Sequence, residues 1–451
     1  MPDEEKTDAE TETAVELDFH RNRQSTDPFT PDEEGKEVLM TGWVHDIRNL
    51  GGIAFILIRD PAGKFQATAI RKMLGKGRYK RITNIQRESV IAVAGKLQPN
   101  AEVMNGYELL VDEYTVLNPA DAPLPLGVAD KVGAELDTRL DNRFLDVRKD
   151  EVRSIFEIRA AATHATREHL GSEGFVEVHT PKIVATATEG GTALFTCQYF
   201  EREAYLNQSP QLFKQIMMAS SMERVFEIGP AFRAEEHDTV RHLNEFTSID
   251  IEMAYANEED VMQVLERMIH HIYKYVSDNC RKQLEILGRE IIVPEVPFPR
   301  IRYDDIVEAL DASGMHMEWG EDFSMEAMKK YSENQPGWYF ITEWPSAMKP
   351  FYALPFFEKP RYCRAFDLNY GAQEITSGAQ RVHLHDLLME RIENQGLDPH
   401  SFDFYLKAFR YGMPPHAGWG LGLDRIVMML AGKSNIRECV LFPRDKQRLV
   451  P

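Results

Sequence analysis

Two segments of the chain combine residue types that could hold a nucleotide. The first reads Phe-Arg-Ala-Glu from Phe232 to Glu235 and is followed, after a polar loop, by Phe246. The planar guanidinium of Arg233 is suited to holding an anionic oxygen. The carboxylate of Glu235 can accept a hydrogen bond from an exocyclic amine, and the ring of Phe246 can stack on a base. On the pattern alone, a hairpin with surface ion pairs is the simpler interpretation.

The second segment, Gly418–Arg425, has glycine at alternate positions and is followed by the apolar run 426–430. Alternate glycines in a strand let a ligand or a neighbouring strand approach the backbone closely. Arg425 stands at the start of the predicted helix, where it could reach a phosphate. Gly432-Lys433-Ser434 follows ten residues after Gly422, but Val427 stands where the P-loop pattern needs its first glycine, so a P-loop is excluded.

The elements around these motifs indicate an α+β domain. A third segment, Gly174–Pro181, reads as a helix end and then a strand closed by proline, which alone predicts only structure. The sequence pattern predicts strands at 224–232 and 248–254 and helices at 151–171, 259–281, 304–314 and 385–395. Strand pairs with long loops and intervening helices indicate an antiparallel sheet flanked by helices.

The N-terminal part of the chain follows a different pattern. Residues 1–36 are acidic and nearly free of large aliphatic side chains, which predicts a flexible tail. Residues 37–118 read as strands at 38–47, 53–59, 64–70, 89–97 and 107–117, with a helix at 76–86. This order is that of an OB-fold β-barrel, although another small barrel would also fit. The proline-rich segment 119–146 predicts a hinge or linker before a second domain at 147–451.

Composition limits the class of protein. The 451 residues include 52 Lys and Arg against 72 Asp and Glu, a net charge of −20, and 43% are hydrophobic. This balance argues against binding nucleic acid by charge alone, so we expect no DNA partner, while RNA binding through a local patch stays open. The four cysteines have no CxxC spacing, which favours a reducing cytoplasm over a disulfide framework or zinc site. No long apolar run or signal-like leader predicts a membrane span or secretion.

In this order, the three motifs resemble the signature motifs of class II aminoacyl-tRNA synthetases. Four further segments resemble the aspartyl branch of archaeal and eukaryotic type: Ala-Thr-Glu-Gly-Gly at 187–191, Gln-Ser-Pro-Gln at 208–211, Phe-Arg-Ala-Glu-Glu-His at 232–237 and Arg-His-Leu-Asn-Glu at 241–245. The resemblance covers about residues 37–451 and implies an OB-fold anticodon-binding domain before a class II core. It also implies a homodimer that activates L-aspartate with ATP and loads it onto tRNA(Asp).

The resemblance assigns residues to the ATP site. Arg233, Glu235 and Arg425 would carry catalysis: Arg233 on the α-phosphate, Glu235 at adenine, and Arg425 stacking on adenine opposite Phe246 while reaching the γ-phosphate. The other implied ATP-site residues are Ala234, Arg241, His242, Leu243, Glu374, Gly422, Leu423 and Asp424. Glu374 and Ser377 would hold Mg²⁺, assisted by Asp367. No general base is expected, because attack by a carboxylate needs positioning and charge neutralisation.

The aspartate site and the choice of amino acid follow from the same resemblance. Lys214 and Arg381 would clamp the side-chain carboxylate, and Glu189 and Gln211 would receive the α-amino group. The other implied aspartate contacts are Leu212, Phe213, Arg233 and Ser377. Asparaginyl relatives usually lack the lysine, because a cation left unpaired against a neutral amide is unfavourable.

Within the OB domain, the residues that resemble anticodon readers are Arg48, Phe55 and Gln66, although Phe55 could equally be barrel core. The basic stretch 71–87 could contact phosphates. The aspartate and asparagine anticodons, GUC and GUU, differ only in the third base. Strict archaeal relatives have a tryptophan in the first barrel strand and a lysine before the last strand. This sequence has His45 and Asn100 there, with Trp43 two residues earlier.

Relaxed specificity, with aspartate loaded onto tRNA(Asn) as well, is therefore expected; the alternative is a strict enzyme in which these positions are neutral. Three other functions stay open. An asparaginyl-tRNA synthetase is disfavoured by Lys214, and an RNA-binding protein with a degenerate core by the intact motif residues. A synthetase-derived enzyme making free asparagine would resemble the core but lack the anticodon domain.

Overall fold

The computed structural model of the chain describes residues 23–24, 34–103, 106–129, 133–185, 194–236 and 239–451. The chain divides into two compact units, residues 1–145 and 146–451. The predicted flexible tail lies almost wholly outside the described residues. Among the described residues, no helix is long and apolar enough to cross a membrane.

The first unit is a closed five-stranded barrel. Its elements are β1 (Arg23–Gln24), β2 (Glu37–Asn49), β3 (Ile53–Arg59), β4 (Lys64–Ile70), α1 (Arg71–Ile82), β5 (Val90–Pro99) and β6 (Tyr107–Asn118). Pairing runs β2–β3–β4–β6–β5 and returns from β5 to β2, while β1 only adds two residues beside β2. Only the β4–β6 pair is parallel within the barrel. This closure confirms the predicted OB-fold.

Alternation along the strands fills the barrel. Ala54, Ile56 and Ile58 are each fully buried, whereas the intervening Phe55 and Leu57 are only half-buried. Because side chains alternate between the two faces of a strand, the odd-numbered pair lies on the outer face. The interpretation of Phe55 as barrel core is therefore wrong, since Phe55 is outside the buried cluster.

The barrel helix differs from its predicted bounds of 76–86. It begins at Arg71 and ends at Ile82, and Gly75 inside it has φ 76°. The positive φ of Gly75 interrupts the helix at this point. Glycine adopts such a conformation without strain, because it has no Cβ. The pattern predicted the part after the break and missed the turn before it.

The predicted linker is partly helical. Two short helices form within it, α2 (Leu136–Asp141) and α3 (Arg143–Asp146). The reason is burial of apolar side chains, since Leu140 and Leu145 are 2% and 3% exposed. No helix or strand forms among the described residues between 119 and 135.

The second unit is built on an eight-stranded sheet with the order β13-β14-β15-β16-β17-β12-β11-β7. Its strands are β7 (Val176–Glu177), β11 (Arg224–Phe232), β12 (Glu245–Ala254), β13 (Arg300–Arg302), β14 (Trp338–Pro345), β15 (Tyr362–Tyr370), β16 (Gln373–Gln380) and β17 (His416–Gly422). All pairings are antiparallel except those of the two edge strands, β7 and β13. A small separate sheet contains β8 (Ile183–Val184), β9 (Thr196–Tyr199) and β10 (Arg202–Leu206).

Helices pack against both faces of this sheet, because adjacent residues of one strand, such as Tyr339 and Phe340, belong to different helix-covered clusters. The helices are α4 (Asp150–Ser172), α5 (Gln211–Met217), α6 (Glu258–Asn279), α7 (Arg281–Ile286), α8 (Tyr303–Ala312), α9 (Met325–Ser332), α10 (His385–Asn394), α11 (Asp403–Phe409) and α12 (Leu423–Ala431). Apolar residues of α4, α6 and α12 share one buried cluster with Trp419 and Leu421 of β17. This arrangement confirms the α+β class.

The predicted helix 259–281 is divided in two. Asn257 caps α6 by accepting from the backbone of Asp260, and α6 ends at Asn279. Cys280 then leaves the helical conformation, with φ −119° and ψ 32°, before α7 begins. The end of a helix is poorly marked here, because neither glycine nor proline stands at the break.

Candidate functional site

A cavity of about 310 Å³ opens on the sheet face opposite α4 and α6, between β12, β16, β17 and the start of α12. It gathers most of the residues that the sequence predicted for the ATP and aspartate sites. They are Gln211, Arg233, Glu235, Arg241, His242, Leu243, Phe246, Glu374, Ser377, Arg381, Gly422, Asp424 and Arg425. Residues distant in sequence thus converge on one concave surface, as expected of a ligand site.

Other predicted residues are not brought to the cavity surface. Leu212 and Leu423 are 0% and 2% exposed in the apolar core, so their side chains cannot contact a substrate. The ring of Phe213 packs against Phe404, with centroids 6.0 Å apart. Ala234 and Lys214 are also absent from the cavity lining. Glu189 lies outside the described residues.

Glycines of β17 make room for two carboxylates beneath the cavity. A Cβ on Gly420 would lie 2.9 Å from the Asp250 carboxylate, and one on Gly418 would overlap that of Glu252. Both acidic residues stand on β12, paired directly opposite these glycines. The close approach that the alternate glycines predicted is therefore made by side chains of the neighbouring strand.

Two cations pair with these carboxylates. Lys214 donates to Asp250 Oδ1 at 2.9 Å and to the Trp419 carbonyl at 3.0 Å. Arg381 donates from Nε and Nη2 to the two oxygens of Glu252, at 3.0 and 3.3 Å. All four charged side chains are at most 4% exposed. Such mutual pairing is what allows charges to remain buried.

The loop between β11 and β12 is tied down behind Arg233. The Arg233 guanidinium lies over the Phe246 ring, 5.3 Å from its centroid. Asn244 donates from Nδ2 to the backbone carbonyls of Arg233 and Glu235, at 2.7 and 3.2 Å. Asn244 is not among the site residues predicted from the sequence, because its burial, which requires hydrogen-bond partners, is visible only in the fold.

Asp424 connects the glycine-rich segment to α4 and to the start of β12. Its Oδ1 accepts from Arg159 of α4, and its Oδ2 accepts from the backbone of Thr247 at 2.9 Å. Arg159 also donates to the Thr247 hydroxyl at 2.9 Å. Both carboxylate oxygens of Asp424 are thus engaged by protein groups, although the residue borders the cavity.

One wall of the cavity combines acidic and basic groups. Lys349 donates to Asp367 Oδ2 at 2.6 Å and lies 3.9 Å from the centroid of the Trp344 ring. Desolvation inside the cavity raises the pKa of Glu374 to about 7, although its side chain is open to the cavity. The Asp367 carboxylate adds to this rise, while Lys349 and Arg425 oppose it. Lys349 is not among the residues predicted from the sequence, because no motif contains it.

On the ATP loop, His242 accepts or donates a 2.6 Å hydrogen bond with the Thr239 hydroxyl. Burial lowers the pKa of His242. The Glu235 carboxylate raises this pKa, whereas the charges of three nearby arginines lower it, namely Arg425, Arg233 and Arg241. Neutral imidazole is therefore favoured beside three arginines.

In the first unit, the predicted anticodon residues share the outer face of the barrel. Arg48 is paired opposite Phe55, which in turn is opposite Thr68. Gln66 donates to Glu108 Oε2 at 2.9 Å, and Thr68 bonds the same oxygen. A half-buried aromatic ring between polar side chains is the usual surface for stacking an unpaired base.

A β-bulge in β2 places His45 outside the barrel. Pairing with β3 shifts between Val44 and Asp46, so that His45 is the extra residue. Val44 is fully buried, and the next residue packed against the core is Ile47. His45 and Asp46 therefore both lie outside the core.

The other predicted discrimination residue, Asn100, lies in the turn that follows β5. Its Oδ1 accepts a 3.0 Å hydrogen bond from the backbone of Glu102. This geometry stabilises the turn locally through the asparagine side chain.

The combination of an OB barrel with this sheet and cavity identifies the class. The chain belongs to the class II aminoacyl-tRNA synthetases: residues 135–446 match the family described as "tRNA synthetases class II (D, K and N)". Residues 38–117 match the "OB-fold nucleic acid binding domain". Both matches confirm the resemblance of the sequence motifs.

Individual relatives narrow the comparison from the class to particular amino acids. The Aspartate–tRNA(Asp/Asn) ligase of Archaeoglobus fulgidus is 53% identical, over 95% of this chain and 100% of the relative. The protein of the same name from Methanocaldococcus jannaschii is 52% identical, over 96% of this chain and 99% of the relative. Asparaginyl-tRNA synthetase from Pyrococcus horikoshii, solved with asparaginyl-adenylate, superposes with TM-score 0.87, 32% identity and coverage of 94% and 98%. Aspartyl tRNA synthetase from Entamoeba histolytica superposes with a TM-score of 0.83 and 32% identity. The match covers 95% of this chain and 93% of that structure.

Proposed function

We propose that the protein is an aspartate–tRNA ligase that activates L-aspartate with ATP and loads it onto both tRNA(Asp) and tRNA(Asn). The relatives named Aspartate–tRNA(Asp/Asn) ligase support this function along nearly the whole chain. Their names favour it over an asparaginyl enzyme. The matched OB domain argues against an enzyme that makes free asparagine, because such an enzyme would lack it.

The observation that carries the choice of amino acid is the state of Arg381. Its Nε and Nη2 are occupied by Glu252, and Nη1 bonds to none of the described residues, while the residue lines the cavity. A guanidinium nitrogen is a donor at every physiological pH. It attracts the side-chain carboxylate of aspartate more strongly than the neutral amide of asparagine, because charge-assisted hydrogen bonds are the stronger ones. Lys214 lies beneath the cavity, where its charge is paired with Asp250.

The activation step follows from the charges around the cavity. The α-carboxylate oxygen of aspartate attacks the α-phosphorus of ATP, the bond to the bridging oxygen breaks, and pyrophosphate leaves with the electron pair. Arg233 and Arg425 are placed to stabilise charge on the phosphates, which the fixed geometry makes effective. The side chains position both reactants and no proton transfer is needed, so no general base is assigned. Transfer to the terminal ribose of tRNA then releases AMP.

Mg²⁺ fits the acidic side of the same cavity, where Glu374 and Ser377 line the surface and Asp367 is buried beside them. Asp367 is 3% exposed, and its Oδ1 has no hydrogen-bond partner among the described residues, as a ligand oxygen would. Asp367 is paired opposite Ser377, and Glu374 lies three residues earlier on the same strand. No group of three or more His, Cys, Asp or Glu in the described chain could hold a metal alone. Mg²⁺ commonly uses one or two carboxylates together with substrate phosphates. When bound, it would neutralise phosphate charge.

A homodimer and a cytoplasmic location complete the proposal. The strand β7, at the edge of the large sheet, exposes 47% of Val176, and Ile183 nearby in the chain is 50% exposed. An exposed sheet edge with apolar side chains favours pairing with a second copy. The four cysteines are all free, as expected in a reducing compartment.

Aspartylation of two transcripts tests the function. The full-length protein, ATP and Mg²⁺ are incubated with radiolabelled L-aspartate and either the aspartate or the asparagine transcript. We expect both to be charged, with kcat/KM values within about tenfold, equivalent to about 1.4 kcal/mol. Charging of the asparagine transcript hundreds of times less efficiently would refute relaxed specificity, and charging with asparagine instead would refute the amino-acid assignment.

A further inference from the structure

Arg241 hydrogen-bonds through its guanidinium to a methionine. The residue lines the cavity, and its Nη1 donates to the sulfur atom of Met325, with 3.4 Å between Nη1 and Sδ. This guanidinium forms no other hydrogen bond and no ion pair with the residues that the structure describes. A thioether sulfur is a weak acceptor. Arg241 is therefore held only loosely at the side of the cavity.

Other cations of the cavity have oxygen acceptors. Arg425 donates from Nη1 to the backbone carbonyl of Glu374 at 3.1 Å, and Lys349 donates to the Asp367 carboxylate at 2.6 Å. Hydrogen bonds from a cation to oxygen, above all to a carboxylate, are the stronger ones. Arg241 differs from these side chains, because it can turn toward a phosphate at the cost of one weak hydrogen bond.

Met325 is accessible although its backbone is fixed. It is the first residue of α9, and Ser324 caps this helix by accepting from the backbone of Ala327 at 3.1 Å. One turn later, Met328 is 5% exposed and packs in the core, whereas Met325 is 46% exposed. Met325 itself is not part of the cavity lining. A small solute can therefore reach a side chain that contacts an ATP-site residue without entering the cavity.

We propose that Met325 is an oxidation site through which hydrogen peroxide lowers the affinity of the protein for ATP. A lone pair of the sulfur attacks one peroxide oxygen and forms the S–O bond of methionine sulfoxide. The O–O bond breaks, the other oxygen leaves as water, and the sulfur is oxidised by the two electrons that the peroxide gains. The inference rests on the proposed use of ATP and on the place of Arg241 in the ATP site.

Oxidation strengthens the acceptor that Arg241 already has. The sulfoxide oxygen is polar, whereas the thioether is apolar, so the guanidinium donates to it more strongly. Arg241 must then give up a stronger hydrogen bond before it can meet the phosphates of ATP. The modification thus acts on nucleotide binding through the position of one side chain.

Peroxide treatment followed by kinetics tests the site. The full-length protein is treated with hydrogen peroxide and then with a thiol, which reverses cysteine sulfenic acids and disulfides but not methionine sulfoxide. KM for ATP in aspartate-dependent ATP–pyrophosphate exchange should rise about tenfold, the worth of one hydrogen bond to a charged group. Peptide mass spectrometry should locate an added oxygen atom on Met325. Methionine sulfoxide reductases should restore KM.

Two leucine variants separate Met325 from the other methionines. Met325→Leu has no sulfur to oxidise, so its KM for ATP should resist peroxide. Met222 is 41% exposed, and its side chain hydrogen-bonds to none of the described residues, so Met222→Leu should keep the full peroxide effect. A peroxide effect that persists in Met325→Leu would overturn the proposal.

A double-mutant cycle tests whether Met325 acts through Arg241. Met325→Gln supplies a permanent carbonyl oxygen and should raise KM for ATP without peroxide. Arg241→Ala should raise KM by itself, and adding Met325→Gln should change it no further, because the acceptor has lost its donor. A purely structural effect on α9 would instead add in both backgrounds. Additive effects on KM would therefore overturn the role of Met325.

Failure of this inference is distinguishable from failure of the proposed function. Titration calorimetry with ATP alone reports the contact whether or not the protein activates aspartate. A wild type that lacks exchange activity, but binds ATP more weakly after oxidation, refutes the function and supports the oxidation site. An active wild type whose KM for ATP is unchanged when Met325 is fully oxidised refutes the site and leaves the function standing.

Discussion

Lys214 and Asp250 form a buried ion pair beneath the cavity, with Nζ 2.9 Å from Oδ1 and exposures of 3% and 4%. The pair joins α5 to β12, so the helix that carries Gln211 is fixed relative to the sheet. Removing one partner leaves the other charge buried and uncompensated. This linkage makes the amino-acid site sensitive to single substitutions.

Lys214→Met should therefore lower the free energy of unfolding by about 3–5 kcal/mol and raise KM for aspartate strongly. The control is Lys182→Met. Lys182 Nζ lies 2.6 Å from Glu227 Oε1, and neither residue lines the cavity. That control should lose stability but keep the KM for aspartate. Aspartate-dependent ATP–pyrophosphate exchange and thermal unfolding measure the two effects; an unchanged KM in folded Lys214→Met would contradict the assignment.

Arg233→Ala should reduce pyrophosphate exchange by 10²–10³-fold, since one preorganised charge contact is worth roughly 3–4 kcal/mol. The folded state should be little affected, because the guanidinium lies over Phe246 and hydrogen-bonds to no described residue. Arg224→Ala, at the other end of β11, removes a bond to the Glu173 carbonyl and serves as the control. It should keep near-normal exchange, and comparable activity in Arg233→Ala would refute the role.

Gly418→Ala should disrupt the floor of the cavity. Its Cβ would overlap the Glu252 carboxylate and the Ile251 backbone carbonyl, neither of which can move without breaking the Arg381 pair or the sheet. Loss of soluble, active protein is expected. Gly171→Ala, which meets nothing within 4 Å inside α4, should instead raise the unfolding temperature slightly. Expression yield and thermal unfolding measure the effect of both substitutions. A Gly418→Ala variant as stable as the wild type would contradict the packing described here.

Acid should destabilise the second unit through His416. Burial lowers the pKa of His416 to about 4 from 6.5, and its Nδ1 lies 2.8 Å from the Pro414 carbonyl. A depressed pKa means that the stabilisation is complete above pH 6.5 and is lost as the pH falls toward 4. The loss between pH 7 and pH 5 should be about 2 kcal/mol of unfolding free energy. Urea unfolding followed by tryptophan fluorescence measures it.

The matched substitutions separate His416 from other titrating groups. His416→Asn should flatten this pH dependence, whereas the same change at His164, whose side chain is 63% exposed, should retain it. If both variants lose stability with pH as the wild type does, His416 is not the responsible group.

The homodimer predicts a mass of twice 51.8 kDa by light scattering at micromolar concentration. Val176→Lys at the β7 edge should shift the population toward monomer, because a charge would be buried in the interface. Ile292→Lys, at a residue 85% exposed elsewhere, should leave the mass unchanged. A wild type that stays monomeric would refute the assembly.

Local pattern was sufficient for some features and insufficient for others. The predicted bounds of strand 224–232 match the structure to the residue, because the signals that define this strand are local in the sequence. The helical turn 71–74 before Gly75 was missed, since glycine commonly marks the start of a helix rather than a break inside one. Arg59 and Lys349 were missed for another reason: a lone cation looks solvated until the fold supplies Glu88 or Asp367. Tertiary pairing of this kind is not encoded in spacing.

The junction of Arg159, Thr247 and Asp424 has a consequence for modular use of the chain. Helix α4 and two of the signature motifs contribute one member each, separated by up to 265 residues in sequence. A fragment that begins after α4 would leave the Asp424 carboxylate buried and without its guanidinium. The nucleotide-site helix therefore cannot be transplanted or inherited by a shorter descendant unless α4 travels with it.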